Sequence, residues 1–257
     1  MLTIDIGNSG VKWGIWQENM LILADDGYYK KETLQATLDD IFSGSPEQDA
    51  VWVSCVAGQE VEHVLTEWIR DKWSIEPVFL RTSSELGGVS NMYPSPEEHG
   101  VDRWAALLGA KKLYDFPVCI IDAGTAITID LMDASGVHRG GRILPGLEMM
   151  RKSLLQNTAG VRAVEGGCPG FAINTADAVT SGIVHMLQAG LLEVCEEARK
   201  RLGDKMRIIL TGGMAEKMLA FLAQVKGVHR EPHLVLYGLY YAWEQESANN
   251  KNDNNKE

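Results

Sequence analysis

Leu2-Thr3-Ile4-Asp5-Ile6-Gly7-Asn8-Ser9-Gly10 opens the chain, and Val118-Cys119-Ile120-Ile121-Asp122-Ala123-Gly124-Thr125-Ala126 opens its second half. Each is a short apolar run ending in Asp-x-Gly and a small polar residue. Each is followed by a second strand-like run, Val11 to Trp16 and Ile127 to Leu131. Alone, Asp-x-Gly is an ordinary turn signal, because aspartate bonds its own backbone and glycine accepts positive φ. Two copies in matching strand-turn-strand contexts point instead to a duplicated unit and to a pair of loops that can cradle a metal-bound polyphosphate.

Working outward from the first loop, a third apolar run at Met20 to Leu23 completes a meander. A helix is expected over Glu32 to Phe42, stopped by Ser43-Gly44-Ser45-Pro46, then a buried strand at Ala50 to Cys55. Val61 to Trp73 has a helical apolar period, and Pro77 to Leu80 reads as a short strand. Residues 82 to 100 read as a long loop carrying Tyr93, the kind of segment that is functional or disordered. Trp104 to Leu113 is a helix broken by Asp115-Phe116-Pro117.

The second half repeats the pattern, with strands near 118–122, 126–132 and 137–143. A helix begins at Pro145-Gly146, with Leu147, Met150, Leu154 and Leu155 on one face. A long helix is expected from about Thr175 to Arg201, a strand at Arg207 to Leu210 leads into Thr211-Gly212-Gly213, and Leu234 to Tyr241 enters a final helix. The expected domains are 1–115 and 116–248, followed by a disordered polar tail, 249–257, too poor in apolar residues to fold.

With 257 residues, 45% of them hydrophobic, the chain can bury a large core without staples. Its net charge of −11, with no basic stretch interleaved with aromatics, argues against a nucleic-acid partner. An anionic substrate must then be met by local cations and backbone N–H groups. Cys55, Cys119, Cys168 and Cys195 form no Cys-x-x-Cys pair and read as reduced core residues. No secretory leader fits the start, and no apolar run reaches the roughly 18 residues of a membrane span, so a cytoplasmic protein without a membrane is expected.

Asp5-x-Gly-Asn-Ser-x-x-Lys12, Gly100-Val101-Asp102-Arg103, Asp122-Ala-Gly-Thr-Ala126 and Gly140-Gly-Arg-Ile-Leu-Pro-Gly146 occur in the order of the type III pantothenate kinases, which the chain resembles from residue 1 to about 245. The wider resemblance is to the superfamily of acetate and sugar kinases, actin and the large heat-shock chaperones. It implies an α/β fold of two duplicated ribonuclease H-like domains, the actin-like ATPase fold, with an active-site cleft between them. One departure is Ser9, where the family usually has threonine, and the hydroxyl is kept.

What the resemblance implies is phosphorylation of pantothenate by ATP, the first step towards coenzyme A. It assigns Asp5, Ile6, Gly7, Asn8, Ser9, Gly10, Val11, Lys12 and Thr125 to ATP. Tyr93, Gly100, Val101, Asp102, Arg103 and Thr175 go to pantothenate, with Asp102 as general base. Asp5 would hold Mg²⁺ directly or through water, and Asp122 a monovalent cation, K⁺ or NH₄⁺. Thr211-Gly212-Gly213 resembles the adenosine turn, and a homodimer is implied by analogy.

Each residue also has a plainer reading on its own. Asp5 suits a turn, Lys12 an exposed strand, Asp102 and Asn174-Thr175 helix caps, Arg103 a surface salt bridge and Tyr93 an exposed aromatic. None of the six histidines has metal-ligand spacing on one helix face. Another small-molecule kinase of the same fold, or a nucleotide-binding regulator without turnover, are the competing functions.

Overall fold

The computed structural model describes residues 1–162 and 166–254. Its chain forms two compact units. Of the described residues, the first comprises 1–115, 135–138 and 233–254, and the second comprises 116–134, 139–162 and 166–232.

In the first unit, β1 (Leu2–Ile6), β2 (Gly10–Gln17) and β3 (Met20–Tyr28) form an antiparallel meander. Helix α1 (Leu34–Ile41) leads to β4 (Val51–Cys55), which pairs parallel to β1, and α2 (Gln59–Trp73) leads to β5 (Val78–Phe79), parallel to β4. The strand order is β3-β2-β1-β4-β5. Alternation along the strands sets two faces. Leu2, Ile4, Ile6, Val11, Val51 and Val53 are buried in one cluster with Leu34 and Leu38 of α1 and Leu65, Trp68 and Ile69 of α2. On the other face Trp16 Nε1 donates to Thr3 Oγ1 (2.9 Å), and the Trp16 ring stacks at 4.2 Å on Tyr240.

That other face is covered by α3 (Val101–Leu113) and α7 (Leu234–Asn254), which pack along each other. Residues 103 to 110 of α3 are buried all round, as expected of a helix inside a core. The two helices meet through glycine. A Cβ at Gly238 would lie 1.8 Å from the Ala105 carbonyl oxygen, and one at Gly109 would lie 2.1 Å from that of Leu234. Helix α7 continues to Asn254, past the point where the polar tail was expected to begin, and residues 255–257 lie outside the described residues.

Between β5 and α3 the chain is not a plain loop. A two-stranded hairpin, β6 (Glu85–Leu86) with β7 (Val89–Ser90), and a 3-10 turn at Pro96–Glu98 punctuate it. Short elements of two or three residues leave too little periodicity in the sequence to be read.

The second unit repeats the plan. β8 (Val118–Ala123), β9 (Ala126–Met132) and β10 (His138–Pro145) are followed by α4 (Leu147–Asn157) and α5 (Thr175–Leu202). Then come β11 (Arg207–Thr211), α6 (Ala215–Phe221) and β12 (Val228–Arg230), with strand order β10-β9-β8-β11-β12. β11 is parallel to β8 and to β12. Two mixed five-stranded sheets of identical order make the fold α/β and duplicated, as the paired loops implied.

Ile183, Leu187, Leu191, Val194, Cys195 and Ala198 form the buried stripe of α5 against Cys119, Ile121, Ile129, Ile208 and Leu210. By length and composition this 28-residue helix could cross a membrane, but a third of its most apolar window is buried in the unit. Helix α4 departs from its expected role, since none of its residues is fully buried. Leu147 and Met150 only lean on the core, and Met149 and Leu154 are exposed.

Candidate active site

The first loop is the β1–β2 turn. Gly7 N–H donates to the Gly10 carbonyl (2.9 Å), closing it over exposed Asn8 and Ser9. A Cβ at Gly7 would make only ordinary contacts, the nearest at 3.8 Å, so the turn is not tightly packed at this position. Ile6 and Val11 are core residues whose side chains are fully buried, leaving only their main chain for a nucleotide.

Asp5 is paired in register with Lys12 on β2 and with Ser54 on β4, while Lys12 is also paired with Asp26 on β3. A row Asp26, Lys12, Asp5, Ser54 therefore crosses the sheet, the lysine between two carboxylates. By alternation from Thr3, Asp5 lies on the face covered by α3 and α7.

Two neighbours of this loop were not legible in the sequence. Tyr29, just past β3, donates its hydroxyl to the Gly7 carbonyl (2.6 Å), and burial, helped by Cys55 nearby, pushes its pKa up to about 12. Ser54 is fully buried, and its Oγ has no hydrogen-bond partner among the described residues. Both depend on pairing between distant segments, for which one sequence carries no signal.

Gly100-Val101-Asp102-Arg103 forms the entry to α3. The helix starts at Val101, three residues before the expected Trp104, so Asp102 stands in the first turn rather than at the cap. Its Oδ1 accepts the Arg103 backbone N–H at 2.8 Å. Arg103 is no surface residue, being 5% exposed. Its Nη1 donates to Tyr93 Oη (3.2 Å), and its guanidinium carbon lies 5.8 Å from the centre of the Tyr93 ring. The structure thus joins two of the expected substrate residues, Tyr93 and Arg103, and sets Asp102 next to Arg103 on a helix that packs over the sheet face to which Asp5 belongs.

In the second unit the β8–β9 turn is held from both sides. Asp122 is in register with Thr128 on β9 and Thr211 on β11. Gly212, at φ +89°, comes so near that a Cβ there would sit 2.3 Å from Asp122 Oδ1, so glycine is required by conformation and by space. Met214 N–H donates to the Ala123 carbonyl (2.9 Å), and Gly146 N–H, at the start of α4, to that of Thr125 (3.1 Å). Asp122, Thr125 and the turn after β11 are therefore one structure, with the N-terminus of α4 beside it, an arrangement suited to an anion.

Thr175 is exposed at the first position of α5, and Asn174 is the cap, its Oδ1 accepting Asp177 N–H at 2.9 Å.

The residues present suit hard cations. Asp5 with the neighbouring main chain offers oxygen donors, as does Asp122 beside the Ala123 carbonyl, which is the donor class that Mg²⁺ and alkali cations take.

The family model described as type III pantothenate kinase matches residues 1–197. The protein of that name from Azoarcus is 37% identical over 247 residues, spanning 93% of this chain and 89% of its own. The one from Aromatoleum aromaticum is 36% identical over 250 residues, spanning 96% and 99%. Among solved structures, the activator of 2-hydroxyisocaproyl-CoA dehydratase from Clostridium difficile with bound ADPNP superposes at a TM-score of 0.52. MreB 5 of Spiroplasma citri bound to AMPPNP does so at 0.51. They are 14% and 13% identical over 97% and 98% of each chain, a likeness of fold alone.

Proposed function

The chain belongs to the type III pantothenate kinase family, whose activity is ATP-dependent phosphorylation of pantothenate towards coenzyme A, and from that premise we propose how its residues divide the work. Asp102 is the general base. It takes the proton from the primary hydroxyl of pantothenate as that oxygen bonds to the γ-phosphorus, and the bond to the β–γ bridging oxygen breaks, releasing ADP. Such a base contributes about 10² to 10⁴ in rate. The observation that carries this reading is the placement of Asp102 in the first turn of α3, next to buried Arg103 and on the helix covering the face to which Asp5 belongs.

Asn8, Ser9 and Gly10 meet phosphate oxygens through their N–H groups, whereas the Gly7 N–H, expected to join them, is engaged by the Gly10 carbonyl and closes the turn instead; Lys12 adds a point charge, and Asp5 would hold the Mg²⁺ that accompanies ATP. Thr125 and the Thr211-Gly212-Gly213 turn take the rest of the nucleotide, and Asp122 seats K⁺ or NH₄⁺. Bound cations offset the charge spread over the transferring group. Tyr93, Gly100, Val101 and Arg103 receive pantothenate, the Arg103 fork suiting its carboxylate.

A homodimer in the cytoplasm completes the proposal. It is supported by apolar side chains left uncovered, Phe171 and Ile173 fully exposed just before α5, Met186 within α5 and Met149 on α4. Large apolar side chains left open to water suit an interface, here with a second copy. Thr175, two residues after Ile173, is the remaining residue proposed for pantothenate.

The test is Asp102→Asn, assayed with ATP, Mg²⁺ and K⁺ by product mass. We expect kcat to fall about 10² to 10⁴-fold with the KM for ATP nearly unchanged; full activity would refute the base. Wild-type protein offered pantothenate beside a panel of sugars and small acids separates this reading from a kinase with another acceptor.

A further inference from the structure

Tyr93 stands at one end of a stack of rings. Its ring lies 4.7 Å from that of His99 at an interplanar angle of 17°, and His99 lies 4.7 Å from His138 at 19°. Both histidines are essentially unexposed. His138 reaches this place because the 135–138 turn joins the first unit. Ser90 N–H donates to the Gly136 carbonyl (3.0 Å), and Ser90 bridges in parallel to Val137. The segment is pinned at further points, by Thr82 Oγ1 donating to the His99 carbonyl (2.8 Å) and Tyr93 N–H donating to Asn91 Oδ1 (3.1 Å).

We infer that His99 and His138 are positioning residues for pantothenate, acting through Tyr93. The inference rests on the proposal that Tyr93 and Arg103 receive that substrate. A tyrosine on a connecting segment has two side-chain torsions to fix. Stacking on His99, itself backed by His138, fixes the plane of the ring. The Arg103 N–H donated to Tyr93 Oη then occupies an acceptor site of the hydroxyl, leaving its one hydrogen to be given to an acceptor on the substrate. Loosening the stack lets the ring swing and takes from the Arg103 fork one of its acceptors, so pantothenate meets a tyrosine that must be ordered at the moment of binding.

An aromatic stack of this kind contributes a factor of about 2 to 12 in an equilibrium constant. For His99→Ala we expect the KM for pantothenate to rise about 2- to 12-fold, with the KM for ATP and kcat at saturating pantothenate within about 2-fold of wild type. His99→Phe, which restores a flat ring, is expected to recover the pantothenate KM. A role in stability alone would not separate the two substrates or be rescued by a ring.

An unchanged pantothenate KM in folded His99→Ala, an equal rise in both KM values, or no recovery in His99→Phe overturns the inference. If His99→Ala does not fold, His99→Leu, which fills the volume without a ring, is held to the same readings. Tyr93→Ala separates the two levels of the argument. A raised pantothenate KM there with none in His99→Ala overturns the inference alone, and no rise there overturns the role of Tyr93 and the inference with it.

Discussion

Replacing Gly238 by alanine strikes at the contact that places the proposed base. The added carbon would begin 1.8 Å from the Ala105 carbonyl oxygen and 2.6 Å from its carbon, both backbone atoms that no side-chain rotation can move aside. To reach a tolerable separation, α3 and α7 must part by more than about 1 Å, in a core packed as densely as a crystal. Trp104, Leu107 and Leu108 of α3 and Leu234, Leu239 and Tyr240 of α7 are all essentially unexposed, so the gap opens where side chains cannot refill it. Overpacking costs about 1 to 3 kcal/mol and here falls at the upper end or above; at about 2 to 4 °C per kcal/mol for a chain of this size, Tm falls by roughly 6 to 12 °C. The same movement carries Asp102 and Arg103 with α3. A displacement near 1 Å of a reacting group costs about 10²-fold in rate, so kcat at a temperature where the variant is fully folded is expected to fall by that order. Thermal melting by circular dichroism and steady-state kinetics on one preparation read both effects. A Tm within 2 °C of wild type would refute the packing argument, and a lowered Tm with unchanged kcat would refute the link from α7 through α3 to the site.

Tyr29→Phe deletes the hydroxyl given to the Gly7 carbonyl and is expected to cost about 1 kcal/mol of stability and to raise the KM for ATP, with pantothenate unaffected, by substrate-resolved kinetics. The proton on Tyr29 is held to about pH 12 in the folded state, while the unfolded chain releases it near pH 10. Its contribution is therefore complete below about pH 10 and is lost as pH rises towards 12, and denaturant titrations through that window should flatten in the phenylalanine variant. Lys12→Met leaves Asp5 and Asp26 on either side of an uncharged residue; a loss of about 10- to 100-fold in kcat/KM for ATP is expected, and a loss confined to pantothenate would contradict its assignment. Burial pushes Cys195 up to about 11 and raises Cys55 and Cys119 as well, while Cys168, contrary to the expectation of a core residue, is exposed in the loop before α5. Brief alkylation of native protein followed by peptide mass mapping should therefore mark Cys168 first, and early labelling of Cys119 would contradict the packing of β8 against α5.

The sequence by itself determined the duplication and the loops. Asp5 to Gly10 and Asp122 to Ala126 are local signals, each a strand running into a tight turn, and the strand order built around them is the same in both units. Gly100 to Arg103 and the family pattern were readable for the same reason, as their order along the chain is itself the information. Only the tertiary structure decided that Lys12 lies between two carboxylates, that Tyr29 reaches back to Gly7, that α7 returns to the first unit to pack on α3 through Gly109 and Gly238, and that His99 and His138 stack behind Tyr93. Each of those joins residues far apart in the chain or on different strands. Turns and amphipathic periods are fixed by neighbours within a few positions, whereas such pairings exist only once burial has brought distant segments to contact distance.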